Sequence, residues 1–278
     1  MEIQGSLKLA DGATTDAIIT VPAYSKHMDI IGGYIDGNWN YATGDGIEAK
    51  NPGIYNLRLI NVDIRYINGT GIYLVGVNVG WIVNCKARDT KGPAIRIGGC
   101  TDIVCIGTYA LGALNGESGW KIEGGSKSIR LFGCKGNSNT GNGLWIANAT
   151  VVIVVGGHFD NNDAYGINES SPSDYNIIAL NDVRGNTKGA ISYVGSNSKI
   201  LRNVGYVAEN KGTATISAGS TSVTVSHGLA ATPSKVLVTP IGDPGDRFWV
   251  ANVGSSSFDI AVATAPGADI DFYWYAEV

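Results

Sequence analysis

The sequence is short of charge, of proline and of long apolar runs, and each shortage excludes a class of protein. Only 16% of its 278 residues are charged, the formal net charge is −4, and no basic stripe is found. This balance argues against nucleic acid as a partner. No apolar segment approaches the roughly 18–20 residues that a membrane-spanning helix needs. Eight prolines beside 39 glycines are typical of a β protein with many turns.

A secretory signal is also missing from the start of the sequence. Residues 1–5 carry neither the positive charges nor the apolar run that such a signal needs. Two interpretations stay open: either the chain is not exported through such a signal, or it is a fragment whose N-terminal part is missing.

What the sequence does contain is one sequence motif that repeats every 23 to 25 residues. In its clearest copy, an Asn/Gly turn leads into a short strand at 139–146, and a second apolar strand follows at 151–155. Self-similarity at such a period is the mark of a repeat architecture. The copies are separated by steps of 25, 23, 25, 24, 23 and 24 residues, and their short strands begin at Ile47, Ile72, Ile95, Trp120, Leu144, Ile167 and Ile191.

The period and the composition of the repeat together favour a parallel β-helix. A strand, a helix and two loops need more residues, except in leucine-rich repeats, whose Leu-x-x-Leu-x-Leu frame is not found. In a β-helix each short Val/Ile-rich strand pairs with its equivalent one coil on, about 4.8 Å away. Gly and Asn suit the turns because both tolerate left-handed backbone. Asn61 and Asn84 hold equivalent turn positions, and we expect their side chains to bond.

The four cysteines lack the spacing of a metal site, and neither a metal nor a cofactor is predicted. Cys105 falls at a core position of the repeat. Cys85 and Cys134 are equivalent residues two coils apart, about 9.6 Å on the strand spacing, which is beyond the ~7 Å limit for a disulfide. Cys100 lies in a turn without an obvious partner. We predict free thiols that are buried or partly buried.

Both ends of the sequence differ from the repetitive middle. Residues 1–28 form two short strands around a turn at Asp11 and Gly12, interpreted as an N-terminal coil that caps the β-helix. From residue 212 the repeat stops, and six short segments alternate apolar and polar residues, which predicts a small antiparallel β-sandwich. We place the boundary at 209–212. The predicted domains are a β-helix over 1–208 and a domain for trimerisation or carbohydrate contact over 212–278.

The recurring Asn/Gly turn followed by Gly-Ile resembles the right-handed parallel β-helix of the pectate-lyase-like superfamily. Residues 212–229, 233–240 and 272–275 are similar to a small β-domain that closes some phage tail and tailspike proteins. The resemblance implies an all-β fold, a right-handed single-stranded parallel β-helix followed by a small antiparallel β-sandwich. It also implies a homotrimer, in a virion tail or outside the cell, that binds and often cuts a cell-surface polysaccharide.

Equivalent outward residues of successive coils stack into columns, and two of these columns combine cations with aromatic rings. This combination suits an acidic polysaccharide, because sugar rings stack on Tyr and Trp while Arg and Lys pair with carboxylates. A solvated face is the alternative, although an exposed Trp145 favours a partner. The first column reads Glu48, Tyr73, Arg96, Lys121, Trp145, Asn168 and Ser192, and the second reads Asp63, Lys86, Tyr109, Lys135 and His158. Candidate substrate-binding residues are Glu48, Trp145, Lys86, Tyr109, Lys135 and His158.

Two cleavage reactions are compatible with the sequence. For β-elimination, Arg96 would neutralise a uronate carboxylate, Lys121 would take the C5 proton and Tyr73 would protonate the leaving oxygen. Hydrolysis would instead need two carboxylates about 5–5.5 Å or 6.5–9.5 Å apart. The carboxylates that gather across two coils are also explained as turn caps and solvated loop residues; they are Asp160, Asp163, Glu169, Asp174 and Asp182.

The aromatic residues of the last domain argue against an isolated monomer. Trp249, Tyr273 and Tyr275 are predicted on the face opposite Phe248, Val250, Phe272 and Trp274, where they either pack against a neighbouring subunit or offer a surface to sugars. Two hypotheses therefore stand. One is a tailspike-like protein that binds and in some forms depolymerises an acidic polysaccharide, with a lyase favoured over a hydrolase. The other is a structural or adhesive β-helix without enzymatic activity.

Overall fold

The computed structural model describes residues 1–8, 15–39 and 44–278, and the turn predicted at Asp11 and Gly12 lies outside these ranges. Within them the chain consists of strands and turns, which confirms the all-β prediction. None of the described segments is a helix long and apolar enough to cross a membrane. The chain divides into two compact units, Met1–Gly205 and Tyr206–Val278.

The first unit is built from short strands that depend on their neighbours for stability. In chain order they are β1 Ser6–Lys8, β2 Ala17–Thr20, β3 Lys26–Ile31, β4 Tyr34–Asp36, β5 Asp45–Ala49, β6 Tyr55–Ile60, β7 Asp63–Ile67, β8 Ile72–Val75, β9 Asn78–Val83, β10 Lys86–Thr90, β11 Ile95–Gly98, β12 Thr101–Ile106, β13 Tyr109–Ala113, β14 Trp120–Lys127, β15 Arg130–Phe132, β16 Lys135–Asn137, β17 Leu144–Thr150, β18 Ile153–Val155, β19 Tyr165–Ser170, β20 Ile177–Ala179, β21 Gly189–Ser192 and β22 Lys199–Leu201.

These strands form three parallel ladders, which we call the first, second and third sheets. The first sheet runs β2-β5-β8-β11-β14-β17-β19-β21, the second runs β3-β6-β9-β12-β15-β18-β20-β22, and the third runs β1-β4-β7-β10-β13-β16. The seven residues that start the repeats pair with one another in sequence order along the first sheet. This register confirms both the parallel β-helix and the alignment of its coils.

The core of the β-helix is a set of apolar columns inside the coils. Ile47, Ile72 and Ile95 follow one another on the first sheet and are completely buried, and Trp120 takes the next place in the same column. Full burial of such a side chain is worth about 1.5–3 kcal/mol. All four cysteines are buried free thiols, as predicted.

The corner between the second and third sheets has the same backbone conformation in every coil. Its residue adopts a positive φ between 50° and 71° at Gly32, Asn61, Asn84, Gly107, Gly133, Gly156, Leu180 and Arg202. Glycine and asparagine tolerate this conformation, which explains why they recur at the corner. The Asn84 side chain donates to Oδ1 of Asn61 over 2.8 Å, so the bond expected between these two side chains is confirmed.

Asparagines also form a ladder inside the coils, which the sequence analysis missed. Nδ2 of Asn139 donates to Oδ1 of Asn162, and Nδ2 of Asn162 donates to Oδ1 of Asn186, each over 2.9 Å. The same Oδ1 atoms accept backbone N–H groups: Asn162 accepts from residue 139 over 3.1 Å and Asn186 from residue 162 over 2.9 Å. Each buried side chain is thus satisfied by the next coil.

The outer face of the second sheet carries an unbroken apolar column, here called the apolar ladder. Its members point to solvent and pair in register from β3 to β22; they are Ile31, Ile60, Val83, Ile106, Phe132, Val155, Ala179 and Leu201. Four of the eight are between 37% and 49% exposed. The neighbouring column on the same face mixes apolar and charged residues, in the order Asp29, Arg58, Trp81, Val104, Arg130, Ile153, Ile177 and Lys199.

The second unit consists of two antiparallel three-stranded sheets that share one core. Its strands are β23 Glu209–Ile216, β24 Ser222–Ser226, β25 Lys235–Pro240, β26 Phe248–Ala251, β27 Ser257–Val262 and β28 Ile270–Glu277, in the orders β23-β28-β25 and β24-β27-β26. Phe258 from one sheet and Trp274 from the other meet in the core. Residues 209–212, assigned to the boundary from sequence, lie in β23 and pair with β28.

Aromatic residues lie on both faces of strand β28, and two more lie on strand β26. Phe272 and Trp274 are buried, whereas Tyr273 is 59% exposed and Trp249 is 47% exposed. Phe248 lies 5.7 Å from Phe272 between ring centres, although part of its surface is exposed. The predicted separation of the aromatic residues into two faces therefore holds for β28.

Candidate functional site

The first column lies on the outer face of the first sheet in the predicted order. Glu48 pairs with Tyr73, and Arg96 follows on β11. Lys121 and Trp145 continue the column on β14 and β17, and Asn168 and Ser192 end it. Because inward and outward positions alternate along each strand, the register that buries the core residues turns these side chains toward the outer face.

Cations and aromatic rings are in contact along this column. The Arg96 guanidinium lies 4.6 Å from the centre of the Tyr73 ring, and Nζ of Lys50 lies 5.0 Å from the same ring. Nζ of Lys121 lies 4.7 Å from the Trp145 ring, whose Nε1 donates to Oγ of Ser170 over 2.9 Å. The column is therefore a packed layer of side chains with limited mobility.

Glu123 is a member of this layer that sequence reasoning missed. It ion-pairs with Arg96, and its Oε2 lies 3.3 Å from Nζ of Lys121. Two residues beyond Lys121 on β14, it points to the same face and stands in register between Gly98 and Ala147. The Glu123 side chain is 20% exposed between these small neighbours. Writing out the second outward position of each short strand would have revealed it.

Glu48 differs from the predicted outward binding residue. Its exposed fraction is only 9%, since Oε2 pairs with Nζ of Lys50 at 2.7 Å and Oε1 accepts from Thr20 over 3.3 Å. Lys50 also pairs with Asp45 at 3.2 Å. The N-terminal end of the first column is thus closed by its own ion pairs, and little of Glu48 is left for a ligand.

The second column lies on the third sheet, and its cations are placed differently. Asp63, Lys86, Tyr109, Lys135 and His158 follow one another in register. The Tyr109 ring lies between the two lysines, with Nζ of Lys135 at 4.6 Å and Nζ of Lys86 at 5.8 Å from its centre. In the described part of the chain neither ammonium has a carboxylate within ion-pair distance.

A shallow cavity opens beside Tyr109, at the corner that joins the second and third sheets. Its volume is about 200 Å³. It is lined by side chains and backbone of three successive coils, namely Asn61, Val62, Asp63, Asn84, Cys85, Lys86, Gly107 and Tyr109. The Asn and Asp residues of this lining carry hydrogen-bonding groups, and Lys86 and Tyr109 of the second column belong to the same lining. His158 lies two coils further along and is exposed.

Residues 45–204, more than half of the chain, match the family model described as the right-handed β-helix region. The chain belongs to the right-handed β-helix family. The match spans both columns and confirms the handedness that the resemblance to pectate-lyase-like proteins implied. Among curated proteins, none matches the sequence.

Solved structures of this β-helix type resemble the chain at low sequence identity. ORF18 of Geobacillus virus E2 is 14% identical, with a TM-score of 0.56, over 94% of this chain and 63% of the viral one. The A-module of mannuronan C-5 epimerase AlgE6 from Azotobacter vinelandii is 14% identical over 72% of this chain and 80% of the module, with a TM-score of 0.41. Tailspike gp49 of Acinetobacter baumannii bacteriophage Fri1, a capsular polysaccharide depolymerase, is 11% identical over 96% of this chain and 69% of the tailspike, with a TM-score of 0.16. At these identities the comparisons concern the fold alone.

The carboxylates considered for hydrolysis lie in different surroundings. Glu169 is completely buried, contrary to its assignment to a solvated loop, because it takes the inward position that Ile146 holds one coil earlier. Asp182 ion-pairs with Arg184 at 2.7 Å, and hydrogen bonds from Arg184 hold the pKa of Asp182 below its ordinary value. Asp174 accepts from Asn197 over 2.7 Å. Asp163 is exposed.

Buried Glu169 joins parts of the last coils by accepting hydrogen bonds from them. Its Oε1 accepts from Oγ of Ser198 over 2.6 Å and from Nδ2 of Asn176. Its Oε2 accepts the backbone N–H groups of Val194 and Gly195 over 3.2 and 3.1 Å. All of these partners are donors, and the two carboxyl oxygens of Glu169 accept from them together.

Proposed function

We propose that this β-helix binds an acidic polysaccharide on the face formed by its third sheet. The observation that carries the proposal is the position of Lys86 and Lys135 on either side of the Tyr109 ring. The ring offers an apolar surface to a sugar, and the two ammonium groups are free to pair with its carboxylates or sulfates. The cavity beside Tyr109 adds side-chain amides for hydroxyl groups.

The cations of the first column are less available to the same ligand. Its cations already have carboxylate partners, since Lys50 pairs with Glu48 while Arg96 and Lys121 share Glu123. A glycan carboxylate must displace these partners or add to them. Two cations and one carboxylate leave the Arg96–Lys121–Glu123 group with a net charge of +1, which is enough for one uronate.

For cleavage, we propose β-elimination at this net-positive group. Arg96 would bind the uronate carboxylate, Lys121 would accept the C5 proton and Tyr73 would donate a proton to the leaving oxygen. The C4–O bond breaks as the C4–C5 double bond forms, so no further reactant is needed. Tyr73, Arg96 and Lys121 are consecutive in the column, which supports their joint action. Lys121 can take the C5 proton only as a neutral amine, so it must first release a proton and its ion pair with Glu123.

Binding is tested by titrating the full chain with acidic and neutral oligosaccharides. The doubly substituted variant Lys86→Ala with Lys135→Ala should lose about tenfold to a hundredfold in affinity for acidic ligands, the range expected when charge-assisted hydrogen bonds are removed. Lys127→Ala with Lys199→Ala removes the same charge at exposed positions outside both columns and serves as the control. We expect it to bind nearly as the parent does.

Two results would reject the proposal. Equal losses in both double variants would indicate attraction by net charge alone, without a site at Tyr109. No binding of any acidic glycan across a broad panel would leave the structural or adhesive β-helix as the function. Tyr109→Ala separates stacking from charge, because it keeps both lysines while removing the ring.

A further inference from the structure

Arg65, on β7 of the third sheet, is a partly buried cation that contacts two aromatic rings. Its guanidinium lies 4.2 Å from the centre of the Tyr34 ring and 5.0 Å from that of the Tyr66 ring. In the part of the chain that the structure describes, no carboxylate is within ion-pair distance of it. Its Nε is buried and has no hydrogen-bond acceptor. Buried N–H groups are nearly always paired, so this arrangement needs an explanation.

The other arginines of the described ranges are stabilised in ordinary ways. Arg202 and Arg247 are exposed, so water solvates them. Each of the remaining five pairs with a carboxylate; they are Arg58, Arg88, Arg96, Arg130 and Arg184. Among the arginines that the structure describes, Arg65 alone is both partly buried and without an acidic partner.

The residues on either side of Arg65 in its column do not neutralise it. Asp36 pairs with it in register on β4. However, Oδ1 of Asp36 accepts the backbone N–H of Asn38 over 3.0 Å, and its Oδ2 accepts the Tyr34 hydroxyl over 3.3 Å. The residue on the other side is Arg88, a second guanidinium. Arg65 therefore stands between a carboxylate that is already used and a like charge.

The rings around Arg65 are held in place by adjacent coils. Trp39 packs edge-on against Tyr66, with 5.3 Å between the ring centres, and its Nε1 donates to the backbone oxygen of Asp89 over 3.0 Å. Tyr66 adopts φ 58°, at a corner where the next two coils have Asp89 and Gly112 with φ 55° and 61°. A bulky residue is strained in this conformation, and such strain is common at binding sites. Here it keeps an aromatic ring against the guanidinium.

The chemistry of this group of residues favours an oxyanion that is attached to a sugar. A guanidinium presents parallel N–H groups that bind a carboxylate or another oxyanion through two hydrogen bonds. Because the Arg65 side chain is only partly buried, its terminal nitrogens, beyond the buried Nε, are the part that a ligand reaches. The neighbouring tyrosine and tryptophan rings are also partly exposed, and they offer flat apolar surfaces to a sugar ring.

We propose that Arg65, Tyr34 and Tyr66 form a separate binding site for the oxyanion of an acidic sugar, toward the N-terminal end of the third sheet. This inference rests on the proposed function for the class of ligand alone, because the site uses neither lysine of the Tyr109 site. The strands β4, β7, β10 and β13 follow one another in the third sheet, so both sites lie on one face. Two coils, or about 9.6 Å, separate β7 from β13, and an acidic oligosaccharide that contacts Tyr109 and Arg65 gains a second anchor.

Nuclear magnetic resonance on the full, isotope-labelled chain tests this site by itself. A buried N–H exchanges slowly with water, so the Nε–H of Arg65 gives a signal that is identified by its absence from the spectrum of Arg65→Lys. Millimolar glucuronate or sulfated glucose should shift this signal, and neutral glucose should leave it in place. The comparison of the two acidic probes shows which oxyanion the site takes. Lys86→Ala with Lys135→Ala should show the same shift, because the two sites are separate.

Three results of this titration would overturn the proposal. The first is a signal that moves with neither acidic probe. The second is an equal shift with neutral glucose, which would mean that the oxyanion is not recognised. The third is a shift that disappears in the double lysine variant, because Arg65 would then only report binding at Tyr109.

Calorimetric titration with an acidic oligosaccharide measures what the site contributes to binding. Arg65→Lys keeps the charge and loses the paired N–H groups, so the Kd should rise about tenfold, the effect of losing one charge-assisted hydrogen bond. Arg58→Lys is the matched control, since Arg58 lies on the second sheet and pairs with Asp29, and it should bind as the parent does. Tyr34→Leu removes a ring and keeps the cation; it should weaken binding in the same direction, and it replaces Arg65→Lys if that variant does not fold.

The two proposals for the third sheet fail separately. If the double lysine variant loses affinity while Arg65 shows neither a shift nor a loss, the site at Arg65 is rejected and the Tyr109 site stands. If the Arg65 signal moves with an acidic sugar in a chain whose affinity does not depend on the two lysines, the Tyr109 site is rejected and the site at Arg65 stands.

Discussion

Nζ of Lys121 lies 4.7 Å from the centre of the Trp145 ring on the next coil and 3.3 Å from Oε2 of Glu123 on its own strand. The ring and the carboxylate together hold the ammonium at one place on the first sheet. Arg96 reaches the same carboxylate from the preceding coil. Glu123 therefore controls how much positive charge this face offers to a ligand.

Replacing Glu123 with Gln should strengthen binding of acidic oligosaccharides to the first column. The substitution keeps the shape of the side chain and raises the net charge of the group from +1 to +2, a gain of up to about 1 kcal/mol at a surface. Calorimetric titration at low salt measures it, with Glu117→Gln as the control of equal charge. If both variants gain equally, Glu123 has no special role.

Lys121→Ala should abolish elimination by this chain while leaving the fold intact. The side chain lies on the outer face and takes no part in the core, so the loss of its ion pair with Glu123 and its contact with Trp145 should lower the free energy of unfolding by only about 1 kcal/mol. The assay follows release of unsaturated uronate from an acidic glycan that the parent cleaves. Full activity in the variant would place the base elsewhere.

Leu180→Gly should stabilise the chain. Leu180 adopts the left-handed corner conformation with φ 58°, and its side chain is 58% exposed. This backbone conformation costs about 1–2 kcal/mol for leucine, which glycine avoids at some expense in entropy. We expect a net gain of about 0.5–1 kcal/mol in urea unfolding. Gly156→Ala is the control in the opposite direction. Gly156 occupies the same corner one coil earlier, with φ 67° and open space where a Cβ would lie. This variant should lose a similar amount of stability. A loss in both would mean that the corner is not strained at Leu180.

Glu169→Gln should destabilise the β-helix by about 2–4 kcal/mol, because an amide NH₂ would face the donors that the carboxylate now accepts from. Ser198 and the backbone N–H of Val194 and Gly195 are among these donors. Urea unfolding measures the change. Asp163→Asn, an exposed carboxylate of the same group of coils, is expected to stay within ~0.5 kcal/mol of the parent. Similar midpoints for the two variants would contradict the structural role of Glu169.

Stability should fall in mildly alkaline solution because of the buried thiols. Burial raises the pKa of Cys85 and Cys100 to about 11 and that of Cys134 to about 12, from an ordinary value of 9.0. Between about pH 9 and pH 10 the unfolded chain releases these protons while the folded chain keeps them, so the free energy of unfolding decreases by up to ~1.4 kcal/mol per thiol and pH unit. Urea unfolding under reducing conditions gives the slope.

The thiol contribution can be separated from the cost of a cavity. Cys85→Ala with Cys100→Ala should lower stability at neutral pH because packing is lost, and it should make the dependence on pH less steep, since two of the titrating groups are gone. An unchanged slope would mean that the thiols do not cause the alkaline loss.

The sequence predicted the coils well because the repeat specifies its own register. Each inward Ile of the first sheet must align with the next for the core to close, so Ile47, Ile72 and Ile95 were enough to set the columns on the outer face. The order of Lys86, Tyr109 and Lys135 on the third sheet followed in the same way. A strict period converts spacing in sequence into position in space.

The contacts within the columns could not be predicted in the same way, because they depend on how far each side chain extends, which the repeat does not specify. Glu123 was missed because only one outward position of each short strand was considered, although its spacing from Lys121 places both on one face. Glu169 was misplaced despite its alignment with inward Ile146, because a carboxylate was assumed to be solvated. Glu48 was taken as exposed because two neighbours were left out: Thr20, which precedes it in the same column, and Lys50, two residues further along the chain.

The asparagine ladder sets the unit in which the length of such a chain can change. Loss of the 23 residues 140–162 would bring Asn139 against Asn186, and both the side-chain and the backbone bonds of the junction would form again. Loss of half that number would place a turn against a strand and leave amides unpaired inside the coil. Descendants of one ancestor should therefore differ in length by whole coils, gaining or losing rungs of a binding face without rebuilding the protein around it.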